Sequence, residues 1–356
     1  MTLNFNNHMA VKTALNFDLG NYLLNLIAFL LILISIKIIF AKDLLNAVIA
    51  ASIFSLLIGV SYLIMDAPDV AMTEAALGAC LSTCVYLNLL RKLPPDLKNI
   101  ERTNIILASL ICLLFVVTLA YMGLELPNYG DDNAPIHMHS SKYYLENTSR
   151  DIGVPSFVAA ILASYRGYDT LGETSVILIA GIAVLLVFSK KLEKVEVDSR
   201  FRGNDINNMN DTVLKAYPII KYITSFIIPY IILYSIYIQL NGESSPGGGF
   251  QAGVIFASSL IAYDLVYGNR KLSRYFPPNV LICIAVLGVA IYAIVGTISL
   301  FFNDNYLNYY SLTNFINDKL LAQHIAIVIV EIGIGLTVAA IMYLIYNVFN
   351  CILDEL

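Results

Sequence analysis

The sequence predicts an all-α fold, a polytopic membrane helical bundle of about nine transmembrane helices with one short interfacial helix. Of the 356 residues, 58% are hydrophobic and 13% are charged, and the mean hydropathy is +0.73. Soluble domains carry about a quarter charged residues, so this chain has too few to cover a water-exposed surface. The apolar residues are gathered in windows of about 20, the length that a helix needs to cross the hydrocarbon core. The balance of 21 basic and 26 acidic residues argues against a nucleic-acid binder.

The apolar windows are predicted to be helices because a membrane strand would alternate apolar and polar residues over about ten positions. A helix also satisfies its own backbone hydrogen bonds within lipid. The windows cover residues 20–41, 43–65, 70–92, 103–124, 170–189, 217–240, 250–267, 279–302 and 322–349. Residues 153–166 are too short for a further span, so they are predicted to form the interfacial or partly inserted helix.

Lysine and arginine residues predict the orientation, because they are enriched in cytoplasmic loops. Most of them lie in 91–102, 190–215 and 270–274, which the predicted spans place on one side. We therefore expect a membrane protein with its N-terminus outside and its C-terminus in the cytoplasm. The first 20 residues lack a basic region followed by a small-residue cleavage site, so no removable signal peptide is expected.

The sequence shows no pattern for a metal, a cofactor or an enzymatic active site. His137 and His139 on the outer loop have no supporting carboxylate or cysteine at metal-ligand spacing. A Ser/His/Asp set, a nucleophile elbow and a haem-attachment motif are also missing. We therefore expect no metal, no cofactor and no enzymatic activity. The cysteines, which are expected to pack as small apolar side chains, are Cys80, Cys84, Cys112, Cys283 and Cys351.

A glycine-rich run at 244–253 is predicted to be a turn between two spans. It lacks the Lys-Ser/Thr of a phosphate-binding loop and lies on the predicted outer side. Pro246 blocks continuation of the preceding helix. Gly247, Gly248 and Gly249 permit a tight reversal into the next helix.

Carboxylates inside the spans are the strongest functional candidates, because a charge at the centre of a membrane helix costs about 2.5–3.5 kcal/mol. Glu331 is the deepest and is followed at four-residue steps by small residues, beginning with Gly335. Glu74 is followed in the same way, beginning with Gly78. Each helix is therefore expected to press an acidic, small-residue face against another helix. The two acids either relay ions or only fix helix assembly, and the sequence leaves both roles open.

Further ionisable residues border the spans. Asp264 and His324 lie near the cytoplasmic and outer ends of their spans, respectively. The candidates for an ion or proton path are Glu74, Glu331, Asp169, Glu173, Asp66 and Asp69.

Several motifs resemble segments of Mrp-type sodium/proton antiporters. Residues 66–74, DAPDVAMTE, resemble the C-terminal region of the large MrpA protein and the MbhD component of membrane-bound hydrogenases. Residues 165–173, YRGYDTLGE, resemble the FRGFDTLGE signature of the adjoining E-type segment, MbhE. Residues 245–253, SPGGGFQAG, and 330–342, VEIGIGLTVAAIM, resemble the MnhB component.

The resemblance implies membrane domains in tandem. It implies an MbhD-like domain of three helices at 1–98, an MbhE-like domain at 99–195, a polar linker at 196–214 and an MnhB-like domain of four helices at 215–356. The linker belongs to a charged, Asn-rich stretch at 190–215. The motif residues expected to be structural are Pro68, Arg166, Gly172, Pro246, Gly247, Gly248, Gly249, Gly253, Gly333 and Gly335.

The resemblance also implies a function. The chain would be an accessory membrane subunit of a multisubunit cation (Na+)/proton antiporter, contributing intramembrane carboxylates to ion translocation and to assembly of the complex. Its partners would be the large antiporter-like subunits and the small membrane subunits. Because the same modules occur in membrane-bound hydrogenases, a membrane arm of a complex I-like redox-driven pump is the alternative. A purely structural membrane scaffold is a third possibility.

Overall fold

The computed structural model describes residues 2–90, 102–127, 131, 133–138, 140–201, 218–267, 272 and 275–353. In this part of the chain the backbone is helical and contains no strand, which confirms the predicted fold class. Nine of the described helical segments are long and apolar enough to cross a membrane, and each overlaps a predicted span. They are Leu19–Ile39, Leu44–Ile64, Pro68–Leu87, Ile106–Gly123, Gly167–Phe188, Lys221–Asn241, Gly249–Tyr267, Pro278–Phe301 and Lys319–Asn350.

The N-terminal part consists of helices that pack mainly on each other. Helices α1 (Thr2–Ile39) and α2 (Leu44–Ile64) form an adjacent pair. The third span is composite, with α3 (Pro68–Glu74), a π-helical segment (Ala75–Leu81) and α4 (Ser82–Leu90) in continuous succession. The proline at the first position of α3 suits a helix start, since its missing N–H would have no partner there.

The middle part contains one isolated span, several short helices and one long helix. Every residue of the span in α5 is exposed within this chain. Ser156 caps α8 by accepting a hydrogen bond of 3.2 Å from the N–H of Ala159. The elements are α5 (Arg102–Gly123), α6 (Pro135–Met138), α7 (Ser140–Asp151), α8 (Phe157–Ala160), a π-helical segment (Ile161–Tyr165) and α9 (Gly167–Phe201).

The short helix predicted at 153–166 is present as α8 and the π-helical segment after it, and it does not form a span. It does not simply lie at the surface, because Ala159, Ala160 and Ala163 are buried. Ser164 donates a hydrogen bond of 3.1 Å to Gln323 of the last span. The segment is therefore packed into the protein. The sequence of 153–166 by itself does not show which distant residues pack against it.

Helix α9 continues through the first part of the predicted linker stretch at 190–215, as far as Phe201. Residues 190–201 contain no proline or glycine and include three Lys and two Glu, which are good helix formers. The remaining part of the predicted linker, as well as the second histidine of the His137–His139 pair, lies outside the described residues.

The C-terminal part is the packed core of the molecule. Helix α13 is surrounded by α11, α12 and α9, and α10 packs on α11. The π-helical segment 75–81 also contacts α11, which joins the N-terminal helices to this core. The elements are α10 (Pro218–Asn241), α11 (Gly249–Tyr267), α12 (Pro278–Phe301), a 3-10 helix (Tyr309–Asn314) and α13 (Lys319–Leu353).

Small residues allow these core helices to approach α13 closely. A Cβ atom added to Gly253 of α11 would lie 2.7 Å from the carbonyl oxygen of Gly335. One added to Gly288 of α12 would lie 2.3 Å from the carbonyl oxygen of Gly333. Backbone contact of this kind is typical of membrane helices, where packing replaces the hydrophobic driving force between helices. Gly253 and Gly288 therefore allow α11 and α12 to pack closely on α13.

Candidate functional site

Two motifs far apart in the sequence meet where α3 and α11 begin. The carboxylate of Asp69 accepts a hydrogen bond of 2.7 Å from the backbone N–H of Gly247. The side-chain amide of Gln251 donates to the backbone carbonyl of Asp69 at 3.3 Å and to the hydroxyl of Thr73 at 3.1 Å. The motif at 66–74 therefore binds the glycine-rich turn directly.

The glycine-rich turn adopts a backbone that other residues would strain. Gly247 and Gly248 have φ angles of +130° and +155°, which side chains of L-residues rarely allow. A Cβ atom on Gly249 would lie 2.2 Å from the carbonyl oxygen of Glu331. The predicted tight reversal is present, and it brings the start of α11 against α13 at the level of Glu331.

Glu331 is buried in the space that these glycines leave. Glu331 is 6% exposed. A Cβ atom on Gly242 would lie 2.7 Å from Oε2 of Glu331, and one on Gly248 would lie 3.4 Å from Oε1. Asp69 and Glu243 are close enough to act on Glu331 electrostatically. Three acids therefore share one small region at this end of the bundle.

Glu243 is a member of this cluster that the sequence analysis did not select. It lies between α10 and α11, is 5% exposed, and contacts Nδ1 of His324 through Oε2. Apart from that contact, its carboxylate oxygens have no hydrogen-bond partner among the described residues. Ser156 donates a backbone hydrogen bond of 2.9 Å to the carbonyl of Glu243, which fixes the segment before α8 to the same place.

Burial determines the protonation of Glu243. It raises the pKa of this carboxyl group to about 7, because the charged form loses its hydration. The imidazole of His324, which contacts this carboxyl group, is half exposed. We name Glu331, Glu243, Asp69 and His324 the carboxylate cluster. His324 is its exposed member, and Glu243 links it to Glu331.

Glu74 lies apart from the carboxylate cluster in its contacts. It is half-buried, and the hydroxyl of Ser55 on α2 donates a hydrogen bond to its carboxylate. A Cβ atom on Gly78 would lie 2.6 Å from Oε1 of Glu74 and 2.0 Å from the hydroxyl of Ser55. The small residue at 78 therefore makes room for this polar pair, inside the π-helical segment 75–81.

The other acids predicted for an ion path are exposed on this chain. Asp169 forms an ion pair with Arg166 one helical turn before it, and both side chains are largely exposed. Glu173 is exposed inside the span of α9. A Cβ atom added to the neighbouring Gly172 would have no atom within 4 Å. Asp66 is exposed in the turn before α3. Of the predicted path residues, the structure brings only Asp69 together with Glu331.

The described residues contain no group of three or more His, Cys, Asp or Glu side chains arranged to hold a metal ion. The carboxylate cluster combines three carboxyl groups with one imidazole, which are side chains that can bind and release protons. Burial of several carboxyl groups in one place makes it costly for all of them to be ionised together.

Solved structures share this fold. The chain superposes on the structure of an Mrp complex from Dietzia sp. DQ12-45-1b with a TM-score of 0.70 and 20% identity, covering 91% of this chain and 34% of that chain. It also superposes on a membrane-bound sulfane sulfur reductase, an archaeal respiratory membrane complex, with a TM-score of 0.51 and 24% identity, covering 69% of this chain and 97% of that chain.

Curated relatives align with part of the chain. A protein of Methanocaldococcus jannaschii without an assigned function is 28% identical over 43% of this chain and 60% of its own length. A probable K(+)/H(+) antiporter protein of Rhizobium meliloti, the A/B subunit, is 28% identical over 59% of this chain and 22% of its own length. The A1 subunit of a Na(+)/H(+) antiporter of Staphylococcus aureus is 29% identical over 51% of this chain and 22% of its own length. The chain thus spans less than two thirds of the length of these relatives.

Two family models match separate parts of the chain. Residues 219–344 match a domain related to the MnhB subunit of Na+/H+ antiporters. Residues 29–95 match MbhD, the D subunit of MBH. The first match contains the glycine-rich turn and Glu331, and the second contains Asp69 and Glu74. The chain therefore contains a segment similar to MbhD, followed by a segment related to MnhB.

Proposed function

We propose that this chain is an accessory membrane subunit of a multisubunit cation/proton antiporter, and that its carboxylate cluster takes part in moving protons or the exchanged cation. The observation that carries this proposal is Glu331, an acid buried inside a span and held against glycine backbone beside two further acids. An intramembrane acid is costly to keep unless it has a function. The names of the relatives in Rhizobium meliloti and Staphylococcus aureus support an antiporter.

The contacts of the carboxylate cluster suggest the order in which a proton or cation passes. His324 is exposed and contacts Glu243, and Glu243 acts electrostatically on Glu331. A proton that enters from the exposed side at His324 can therefore reach the buried carboxyl group of Glu243 and change the charge that Glu331 experiences. Asp69 accepts a hydrogen bond from the backbone of Gly247, and this bond connects α3 to the turn beside the cluster.

Exposed acids and helices of this chain are the proposed contact sites for partner subunits. The partners would be the large antiporter-like and the small membrane subunits of an Mrp-type complex. Glu173 is exposed in a span, where lipid would be unfavourable, and α5 is exposed along its length. This chain also corresponds to 34% of the matched chain in the Mrp complex, so that chain is considerably longer.

We also propose that the chain lies in a bacterial inner membrane, as its resemblance to Mrp-type antiporters implies. The basic loops favour an outer N-terminus and a cytoplasmic C-terminus. This orientation puts the carboxylate cluster on the outer side. The chain would act as a transporter subunit without enzymatic turnover of its own. Glu74 remains a second candidate for the ion path, and its bond to Ser55 is also compatible with helix assembly alone.

A membrane arm of a redox-driven complex is the second candidate function. It is favoured by the sulfane sulfur reductase structure, since this chain covers 97% of the matched chain there. Purification of the complex from its native membrane separates the two functions. Antiporter-like partner subunits would support the first proposal, and partners that carry iron–sulfur clusters would support the second.

The proposal is tested by cation-dependent proton exchange in everted vesicles that contain the assembled complex. Glu331→Gln and Glu243→Gln are expected to lower the exchange rate by about tenfold or more, the size of effect typical of a lost proton-transfer group. Glu146→Gln, on the exposed surface of α7, is the matched control and should leave the rate unchanged. If both cluster variants assemble and exchange normally, the proposed ion role is wrong and the cluster serves assembly. Glu74→Gln in the same assay decides between relay and assembly for that residue.

A further inference from the structure

A third buried acid lies at the other end of α11. Asp264 is 1% exposed, and Tyr343 of α13 is fully buried beside it. The hydroxyl of Tyr343 donates a hydrogen bond of 2.5 Å to Oδ2 of Asp264. The backbone N–H of Leu272 also acts on this carboxyl group as a hydrogen-bond donor at long range, but by distance and angle the buried Oδ1 has no hydrogen-bond partner among the described residues. One carboxyl oxygen is therefore free to carry a proton.

No described basic side chain forms an ion pair with Asp264. Lys221 of α10 is directed over the ring of Tyr267, with its nitrogen 5.6 Å from the ring centroid. Tyr346 packs its ring against that of Tyr343 at 6.3 Å. Cys80, in the π-helical segment that packs on α11, is exposed. Tyr343, a neutral phenol, is thus the hydrogen-bonding side chain that faces the acid.

This environment favours a carboxyl group that binds a proton over a permanent anion. Burying an ionised carboxylate costs several kcal/mol unless it is paired and its oxygens are hydrogen-bonded. Asp264 has a hydrogen bond at one oxygen and none at the other among the described residues. If Asp264 only accepted the hydrogen bond from Tyr343, an acid would not be needed there. The side-chain carbonyl of an asparagine would accept the same bond.

Asp264 is too far from the carboxylate cluster to be part of it. Glu331 and Tyr343 are both on α13, and their positions are twelve residues apart, which corresponds to about 18 Å along the helix. Glu331 contacts the start of α11, whereas Asp264 lies near its end. The two buried acids therefore occupy opposite ends of the same pair of helices.

We propose that Asp264 and Tyr343 form a proton-binding site at the end of α11 opposite the carboxylate cluster. A proton from the aqueous phase on that side binds the carboxylate at Oδ1 and gives the neutral acid, and its release regenerates the carboxylate. Tyr343 keeps its own proton and holds the carboxyl group in place. The use of this site in transport rests on the proposed function, whereas proton binding itself does not.

Proton binding is tested by infrared difference spectra of the purified complex between acidic and alkaline buffer. The wild-type protein should show the carbonyl band of a protonated carboxyl group in an apolar environment, and Asp264→Asn should lose it. Tyr343→Phe should shift this band, because the hydrogen bond to Oδ2 is removed. Asp43→Asn is the matched control, since Asp43 is exposed at the start of α2. A difference spectrum of Asp264→Asn identical to that of the wild type would overturn the proposal.

Transport provides the second measurement and separates the two proposals. In everted vesicles, Asp264→Asn should reduce exchange by about tenfold or more in an assembled complex, and Asp264→Glu should restore part of it. If Glu331→Gln abolishes exchange while Asp264→Asn leaves it unchanged, the transport role of Asp264 is wrong and the proposed function stands. If the wild-type complex performs no exchange but the infrared band depends on Asp264, the proposed function fails and the proton-binding site stands.

Discussion

Asp69 and Gly247, which are 178 positions apart in the sequence, are joined by a hydrogen bond of 2.7 Å from the backbone of the turn to the carboxylate. The first residue belongs to the segment matched by MbhD, and the second to the segment matched by MnhB. This hydrogen bond therefore joins the two matched segments at the end where Glu331 is buried.

Replacing Asp69 with alanine is expected to lower the free energy of unfolding by about 1.5–3 kcal/mol, because a hydrogen bond to a charged acceptor is lost. Asp69→Asn keeps an acceptor oxygen and should have a smaller effect. Thermal unfolding of the purified protein in detergent, followed by circular dichroism, measures the difference. Asp66→Asn is the control, as Asp66 is exposed in the same turn. Equal stability of Asp69→Ala and the wild type would contradict the fastening role.

Gly242 is predicted to be intolerant of a side chain. In Gly242→Ala, the new Cβ would lie 2.7 Å from Oε2 of Glu331 and 2.8 Å from Cα of Gly248. Overpacking of this kind costs about 1–3 kcal/mol. Gly123→Ala and Gly172→Ala are matched controls with open space at the new Cβ. The same thermal measurement should show a loss for Gly242→Ala alone, and a loss of equal size in the controls would refute the packing argument.

The stability of the protein should depend on pH through Glu243. Burial raises the pKa of this group from 4.5 to about 7. Between these values the folded protein holds a proton that the unfolded chain has released, so the free energy of unfolding falls as pH rises. One proton contributes a slope of at most about 1.4 kcal/mol per pH unit.

Thermal unfolding as a function of pH measures this contribution. Glu243→Gln should remove it, so the midpoint temperature should fall less steeply than in the wild type as pH rises through the window. Glu146→Gln on the exposed face of α7 should retain the wild-type slope. An unchanged slope in Glu243→Gln would assign the pH dependence to other groups.

Two buried tyrosines are predicted to hold the inserted segment before α9. The hydroxyl of Tyr292 donates a hydrogen bond of 2.7 Å to the carbonyl of Gly167, and that of Tyr309 donates one of 2.8 Å to the carbonyl of Ala163. Tyr292→Phe or Tyr309→Phe leaves a buried carbonyl without its donor, which should cost about 1–3 kcal/mol each. Tyr121→Phe on exposed α5 is the control in the thermal measurement. Phenylalanine variants as stable as this control would show that the bonds are dispensable.

The orientation can be tested with single cysteines in a chain whose native cysteines are replaced by alanine. Phe315→Cys, in the exposed turn before α13, should react with a membrane-impermeant thiol reagent in intact cells. Lys42→Cys, in the exposed turn between α1 and α2, should react only in everted vesicles. Both should react after detergent is added. The opposite pattern would reverse the orientation and move the carboxylate cluster to the cytoplasmic side.

Individual acids could be selected from the sequence when they interrupt an apolar helix, as Glu331 and Glu74 do. Glu243 could not, because it lies in a polar connection that resembles an ordinary surface loop. It is buried only because α10, the segment before α8 and His324 close around it. Asp169 shows the converse, since it sits in a motif but remains exposed on this chain.

The sequence alone determined the all-α class, the spans and the tight turn at Gly247 and Gly248, because apolar length and glycine conformation are local properties of the chain. It did not determine the π-helical segment after Glu74 or the continuation of α9 to Phe201. The tertiary structure alone decided which acids meet. Burial of Glu243 and Asp264, and the bond from Gly247 to Asp69, depend on helices distant in sequence that pack side by side.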